Sequence, residues 1–189
     1  MEIVSPLPPT RSRIPNPRLG LFITGLIIAA LVLLGIRDIE WFLLKKLLRY
    51  RFPRVRRITT EQLATWLGDK TRIQPVLLDV RTKEEWNVSH LLAARLVTPS
   101  VTIDELAAGL SKEAPIVTYC AVGYRSAAMA NKLQKAGFSS VMNLEGSIFQ
   151  WANEHRPLVR DHMSVTTVHP FSKKWGRLLR DEMRAPLTN

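Results

Sequence analysis

The side chain best suited to covalent chemistry is Cys120, the only cysteine of the chain, in the stretch Tyr119-Cys120-Ala121-Val122-Gly123-Tyr124-Arg125-Ser126. An apolar run, Ala114-Pro115-Ile116-Val117-Thr118, precedes it and reads as a buried strand. A short loop with one glycine follows. Arg125 to Ala136 then carries Ala, Met, Leu, Gln and Lys at helical spacing and stops at Gly137. A thiol in a strand-loop-helix turn sits where loop amides and a helix N-terminus converge, a setting that favours the nucleophilic thiolate. The competing reading is a buried, inert cysteine acting as a small hydrophobe.

Further signals run in order around this loop. Upstream lie Leu77-Leu78-Asp79-Val80-Arg81, then Glu84-Glu85-Trp86 and His90; downstream lie Gly137-Phe138, Val141-Met142-Asn143-Leu144-Glu145-Gly146 and Trp151. With Cys120-x-x-Gly123-x-Arg125-Ser126 at the centre, the set resembles the rhodanese family over roughly Ile58 to Arg156. The resemblance implies an α/β rhodanese-like domain and sulfurtransferase chemistry. In that chemistry a thiolate takes a sulfane sulfur from thiosulfate or a persulfide, holds it as a cysteine persulfide and passes it on.

The same resemblance assigns roles. Cys120 is the nucleophile, and the amides of Ala121, Val122, Gly123, Tyr124, Arg125 and Ser126 form an anion cradle around the sulfur. Gly123 lets the backbone turn without a Cβ in the way. Arg125 braces the loop and adds positive charge, and Ser126 begins the helix and is placed to cap it. Asp79 and Arg81 are supporting residues; the Asp79 carboxylate either orients the loop or its arginine, or caps a helix start. Cysteine phosphatases resemble this cradle with one more residue between cysteine and arginine. Here residues 121–124 intervene, the shorter sulfurtransferase form, so phosphate and arsenate chemistry is disfavoured. Two departures stand out. Ala121 and Val122 replace a basic residue common after the cysteine, which weakens capture of a small dianion such as thiosulfate. Ser89-His90-Leu91-Leu92-Ala93-Ala94 stands where the family has Gly-His-Ile-Pro-Gly-Ala, which puts the geometry of that turn in question.

A net charge of +11 over 189 residues raises the possibility of a nucleic-acid partner. Its distribution argues otherwise. Residues 58–155 carry −1, whereas residues 1–18 carry +2, 37–57 carry +6 and 156–189 carry +4. The excess lies in the flanks, which suits a membrane surface rather than DNA or RNA. One cysteine allows no internal disulfide and fits a reducing compartment. His90, His155, His162 and His169 show no ligand spacing, so no metal and no cofactor are expected.

Five prolines within residues 1–18 predict a disordered tail. Residues 19–36 hold no charge over 18 positions; at about 1.5 Å per residue they extend roughly 27 Å, close to the bilayer's hydrocarbon thickness of about 30 Å. They predict one transmembrane helix. A cleaved signal peptide is the competing reading, but no small-x-small cleavage site follows. Eight cations in residues 37–57 against three before the span place the N-terminus outside and the rest in the cytoplasm or stroma.

Trp41 to Arg51 predicts a basic amphipathic helix, with Trp41, Leu44 and Leu48 on one face and Lys45, Lys46 and Arg49 opposite. It either lies on the bilayer or packs on the domain as a linker. Residues 58–156 alternate strand and helix signals, which predicts a parallel sheet covered on both faces, with Cys120 at a strand's carboxyl end. Residues 157–189 form a basic tail in which Phe171 to Met183 reads as an amphipathic helix for the membrane, the domain or a partner protein. The whole reads as a single-pass, membrane-anchored rhodanese-like sulfurtransferase with membrane lipids and a sulfur donor and acceptor as partners. A membrane-tethered, rhodanese-like binding module with little turnover is the alternative.

Overall fold

The computed structural model describes residues 35–98 and 100–187. The tail 1–18 and the apolar run 19–36, except for its last two residues, lie outside them, and so does the membrane span read there. Among the described residues no helix is long and apolar enough to cross a membrane. By its contacts the chain divides into Met1–Asp38 and Ile39–Asn189.

The second unit is built on a five-stranded sheet of β1 (Arg56–Ile58), β2 (Val76–Asp79), β3 (Arg95–Leu96), β4 (Ile116–Tyr119) and β5 (Val141–Leu144), in the order β1-β5-β4-β2-β3. Every pairing is parallel. Central strands β4 and β5 are buried along their whole length, as their near-continuous apolar runs require. Alternation along each strand splits the core: Leu77, Val117 and Met142 face one layer, Leu78, Ile116 and Val141 the other. Helices α2 (Thr60–Gly68) and α6 (Ser147–Asn153) cover the first layer, and α4 (Ile103–Ala108) and α5 (Tyr124–Lys135) cover the second. The expected α/β fold, a parallel sheet flanked by helices, is the one observed.

Local sequence sets most helix starts. Thr82 and Thr102 cap α3 (Lys83–Val88) and α4 in reciprocal capping boxes with Glu85 and Glu105. For α2 the cap is Thr59, because Gln62 lies three residues beyond it and closes the box. Ala93 holds a left-handed φ of 60° in the turn before β3. It stands at the position of the family motif's second glycine, so the turn accepts a backbone conformation that an L-residue adopts at a cost of about 1–2 kcal/mol.

The boundary expected at residue 58 is not a structural one. Strand β1 begins at Arg56, and helix α1, over 35–51, packs on the sheet through Trp41, Leu44 and Leu48. Of the two readings of this helix, packing on the domain is the one observed for the Trp41, Leu44 and Leu48 face. Its opposite side leaves Ile39, Phe42, Leu43 and Leu47 exposed. Of the cations Lys45, Lys46 and Arg49, Arg49 is tied to Glu145 at 3.0 Å. Replacing Leu48, 5% exposed, by alanine should lower the unfolding free energy of the full chain by about 2–5 kcal/mol, measured by urea denaturation. An unchanged midpoint would mean that α1 is only a tether.

The C-terminal segment also differs from expectation. Residues 158–165 form a hairpin of β6 (Leu158–Arg160) and β7 (Met163–Val165). Its two-residue turn holds Asp161 and His162 both at positive φ, as a right-twisted hairpin prefers. The single helix expected over Phe171–Met183 is instead α7 (Lys173–Gly176) followed by a 3₁₀ turn, Asp181–Met183. Adjacent Leu178 and Leu179 are both buried. The Arg180 amide donates to Asn153 Oδ1 at 2.8 Å rather than to the Gly176 carbonyl that a continuous helix would offer it, so a tertiary partner takes over where the helix stops.

Candidate active site

Strand β4 delivers Cys120 to the carboxyl edge of the sheet, and Gly123, at φ 108°, starts α5 three residues later. A left-handed backbone there needs glycine, and an added Cβ would also stand 3.3 Å from the Leu48 side chain. Helix α1 and the residue after it thus buttress the loop, Phe52 meeting Tyr124 edge to face at 5.5 Å.

The loop's carbonyls are occupied from behind. The amides of Ile148 and Phe149, at the start of α6, donate to the carbonyls of Cys120 and Ala121 at 3.2 and 3.1 Å. Asn143 Nδ2 donates to the Gly123 carbonyl at 3.2 Å, and the Cys120 amide donates to Ser147 Oγ at 3.1 Å. With the carbonyls of Cys120, Ala121 and Gly123 turned to α6 and β5, the loop keeps its amides beyond Cys120 for the sulfur side. The Gly123 amide donates to Cys120 Sγ at 3.1 Å, and the Ser126 hydroxyl donates to it at 3.4 Å. Among the described residues the amides of Ala121, Val122, Tyr124, Arg125 and Ser126 have no acceptor within the protein. Ser126 is not the helix cap that the sequence suggested; it sits inside the first turn, and its hydroxyl reaches the thiol instead.

Arg125 is held by Glu85, which the sequence placed only among the upstream signals. Its two terminal nitrogens donate to Glu85 at 2.7 and 2.8 Å, the bidentate geometry that best satisfies a carboxylate. Glu85 is 1% exposed. Burial pushes its carboxyl up, but hydrogen bonds and charge from Arg125, with the Thr82 amide, outweigh that and hold it below the ordinary glutamate value. Burial likewise opposes the charge of Arg125, and the Glu85 hydrogen bonds and the nearby Cys120 more than restore it. Glu85 thus serves both as the end of the Thr82 capping box and as the partner of the loop arginine.

Asp79 does neither of the two things expected of it. It neither orients the loop nor caps a helix; Thr82 does the capping. Its carboxylate receives Arg81 Nε at 2.9 Å and Nη2 at 2.7 Å, and Arg81 Nη2 also donates to the Ser89 carbonyl at 2.6 Å. Both side chains are fully buried. This ion pair underlies the site beside Tyr119, whose hydroxyl accepts the Leu91 amide at 3.1 Å. Burial, then the Asp79 charge, pushes the Tyr119 phenol well above its ordinary value, so it stays neutral. His90 stacks on Trp86 at 3.6 Å and plays a packing role.

A cavity of about 180 Å³ adjoins the loop, lined by Ala121, Val122, Tyr124, Arg125, Phe171 and Trp175. Cys120 is 1% exposed and lies behind the rim rather than in the cavity wall. Phe171 covers the Arg125 guanidinium with its ring at 4.7 Å. Nothing in the spacing of residues 171–175 pointed to the site; they reach it only through the path of the C-terminal segment.

Residues 59–154 match the family model of the rhodanese-like domain. The chain belongs to the rhodanese-like family. Over 101 residues it is 36% identical to the probable adenylyltransferase/sulfurtransferase MoeZ of Mycobacterium tuberculosis, an alignment covering 53% of this chain and 25% of that protein. The thiosulfate sulfurtransferase GlpE of Coxiella burnetii is 30% identical over 80 residues, or 42% of this chain and 74% of GlpE. The crystal structure of a rhodanese-like domain protein from Staphylococcus aureus superposes with a TM-score of 0.50 at 28% identity, covering 57% of this chain and 99% of that one. The chain thus spans a quarter of MoeZ and about three quarters of GlpE. Helix α1, the β6–β7 hairpin and the segment with Phe171 and Trp175 lie outside the residues that match the rhodanese-like family.

Proposed function

We propose that this rhodanese-like protein is a sulfurtransferase that carries sulfane sulfur on Cys120, tethered to a membrane by residues 19–36. The observation that carries the reading is the single thiol whose sulfur already accepts the Gly123 amide and the Ser126 hydroxyl. Those donors, with the further amides of the loop and first helical turn, favour a thiolate and then the persulfide anion that replaces it. The names of MoeZ and GlpE support the same chemistry.

The step balances without a cofactor. Cys120 thiolate attacks the outer sulfur of thiosulfate or of a hydropersulfide, the S–S bond of the donor breaks, and its electron pair leaves with sulfite or with the donor thiolate. A thiophilic acceptor then attacks the outer sulfur of the Cys120 persulfide and the cysteine thiolate departs. Production of thiocyanate from cyanide by the full chain, with thiosulfate or a hydropersulfide as donor, tests the activity; none from any donor would overturn it.

Tethering rests on the uncharged run 19–36 and the cations after it. The exposed apolar side chains of α1 add support, since a bilayer surface accommodates them. The expected orientation puts the N-terminus outside and the rhodanese-like domain on the cytoplasmic or stromal side. The full chain should sediment with membranes and resist carbonate extraction, and deletion of residues 1–37 should release it. A full chain soluble without detergent would overturn the tether. The buried thiol and the pairing of Arg125 with Glu85 favour a second reading, a binding module that recruits a partner at the membrane, with the C-terminal segment as one contact surface.

A further inference from the structure

The cavity beside the loop is the wrong environment for a small dianion. Of its lining residues only Arg125 is charged, and that charge is already matched by Glu85 through two hydrogen bonds. One face of the guanidinium is covered by Phe171. Ala121 and Val122 are buried and apolar, and Trp175 completes the wall. An anion entering here gains loop amides but no unpaired cation, whereas an apolar group gains contact with aromatic and aliphatic side chains.

The wall is held in place by its own segment. Phe171 adopts a left-handed φ of 63° while remaining 45% exposed, a backbone conformation that persists only where neighbours fix it. Its amide donates to His169 Nδ1 at 3.0 Å, and the Ser172 hydroxyl caps α7 immediately after it. Gly176 packs so closely on Pro170 that an added Cβ would lie 2.8 Å from the proline ring. Beyond α7, Leu178, Leu179 and Met183 anchor the segment in the core.

We infer that Phe171 and Trp175 are specificity-determining residues that select an organic hydropersulfide with an apolar body as the sulfur donor, in preference to thiosulfate. The inference rests on the sulfurtransferase reading and adds the substrate class to it. At about 180 Å³ the cavity is smaller than the roughly 300–1,000 Å³ that enclose drug-sized ligands, so it suits a small alkyl or aryl group. The donor R–S–SH places R against Phe171 and Trp175. Cys120 thiolate bonds to the outer sulfur, the donor S–S bond breaks, R–S⁻ leaves with the electron pair, and the proton stays on the new persulfide until it ionises.

The test uses the full chain and three donors: benzyl hydropersulfide, cysteine hydropersulfide and thiosulfate. The readout is the second-order rate at which Cys120 gains one sulfur, followed by mass spectrometry. The wild type should load from benzyl hydropersulfide about tenfold or more faster than from either other donor, the scale on which an apolar pocket discriminates. Phe171→Ala should lower the ratio of the benzyl to the cysteine hydropersulfide loading rate about tenfold. Phe171→Leu, which restores an apolar wall, should recover most of the loss. Thermal melting of each variant checks that the fold is kept. Loading with the same donor ratios in wild type and both variants would overturn this inference alone. No loading from any donor would overturn the sulfurtransferase reading and the inference with it.

Discussion

Cys120→Ser is expected to lower sulfur transfer to cyanide by about 10³-fold or more while the protein stays folded. The sulfur lies at the centre of the loop's donors, and no second thiol exists to take its place. A hydroxyl keeps an acceptor for the Gly123 amide, so the loop retains its hydrogen bonds and the stability cost is about 1 kcal/mol. Serine forms no persulfide, so the loss falls on the chemical step, where removal of a nucleophile typically has its full effect. Transfer rates from thiosulfate and hydropersulfide donors, read beside circular dichroism, check this. Residual activity near the wild-type level in the serine variant would remove Cys120 from the mechanism.

The second large effect concerns stability. Asp79→Ala should reduce the unfolding free energy by about 3–5 kcal/mol, a large part of the roughly 5–15 kcal/mol that holds a typical domain together. The cost arises because Arg81 remains fully buried with its positive charge and only the Ser89 carbonyl as acceptor. Replacing both partners at once, as in Asp79→Leu with Arg81→Met, should recover much of that loss, since no unpaired charge is left in the core. Urea denaturation of the single and double variants measures both outcomes. A single variant that costs under about 1 kcal/mol would show that the pair is not the internal support of the site.

The legible and illegible parts of this fold differ in kind. Strands β2, β4 and β5 are short apolar runs with few alternatives, and Thr82 and Thr102 announce their helices through reciprocal boxes. Edge strand β1 has one apolar residue, Ile58, beside Arg56 and Arg57, so its assignment depends on pairing with β5 rather than on its own pattern. The β6–β7 turn uses Asp161-His162 in place of the Asn-Gly or Asp-Gly that marks such hairpins.

At the site, the thiol and its loop were legible because cysteine, glycine and arginine spacing is local. The partners were not. Glu85 closes the capping box of its own helix, yet it also grips an arginine 40 positions away. Ser147 and Asn143 reach the loop from α6 and β5. Phe171 arrives from a segment whose apolar spacing suggested one continuous helix. Each of these contacts is made by tertiary folding and leaves no mark on local periodicity.

The central claim, that Cys120 carries sulfur, is tested most directly by mass spectrometry of the full chain after exposure to thiosulfate and, separately, to a hydropersulfide donor. The account predicts a mass gain of one sulfur atom on the peptide containing Cys120, reversed by cyanide with release of thiocyanate and absent from Cys120→Ser. An unmodified Cys120 peptide after every donor would contradict it and leave the rhodanese-like domain as a binding module.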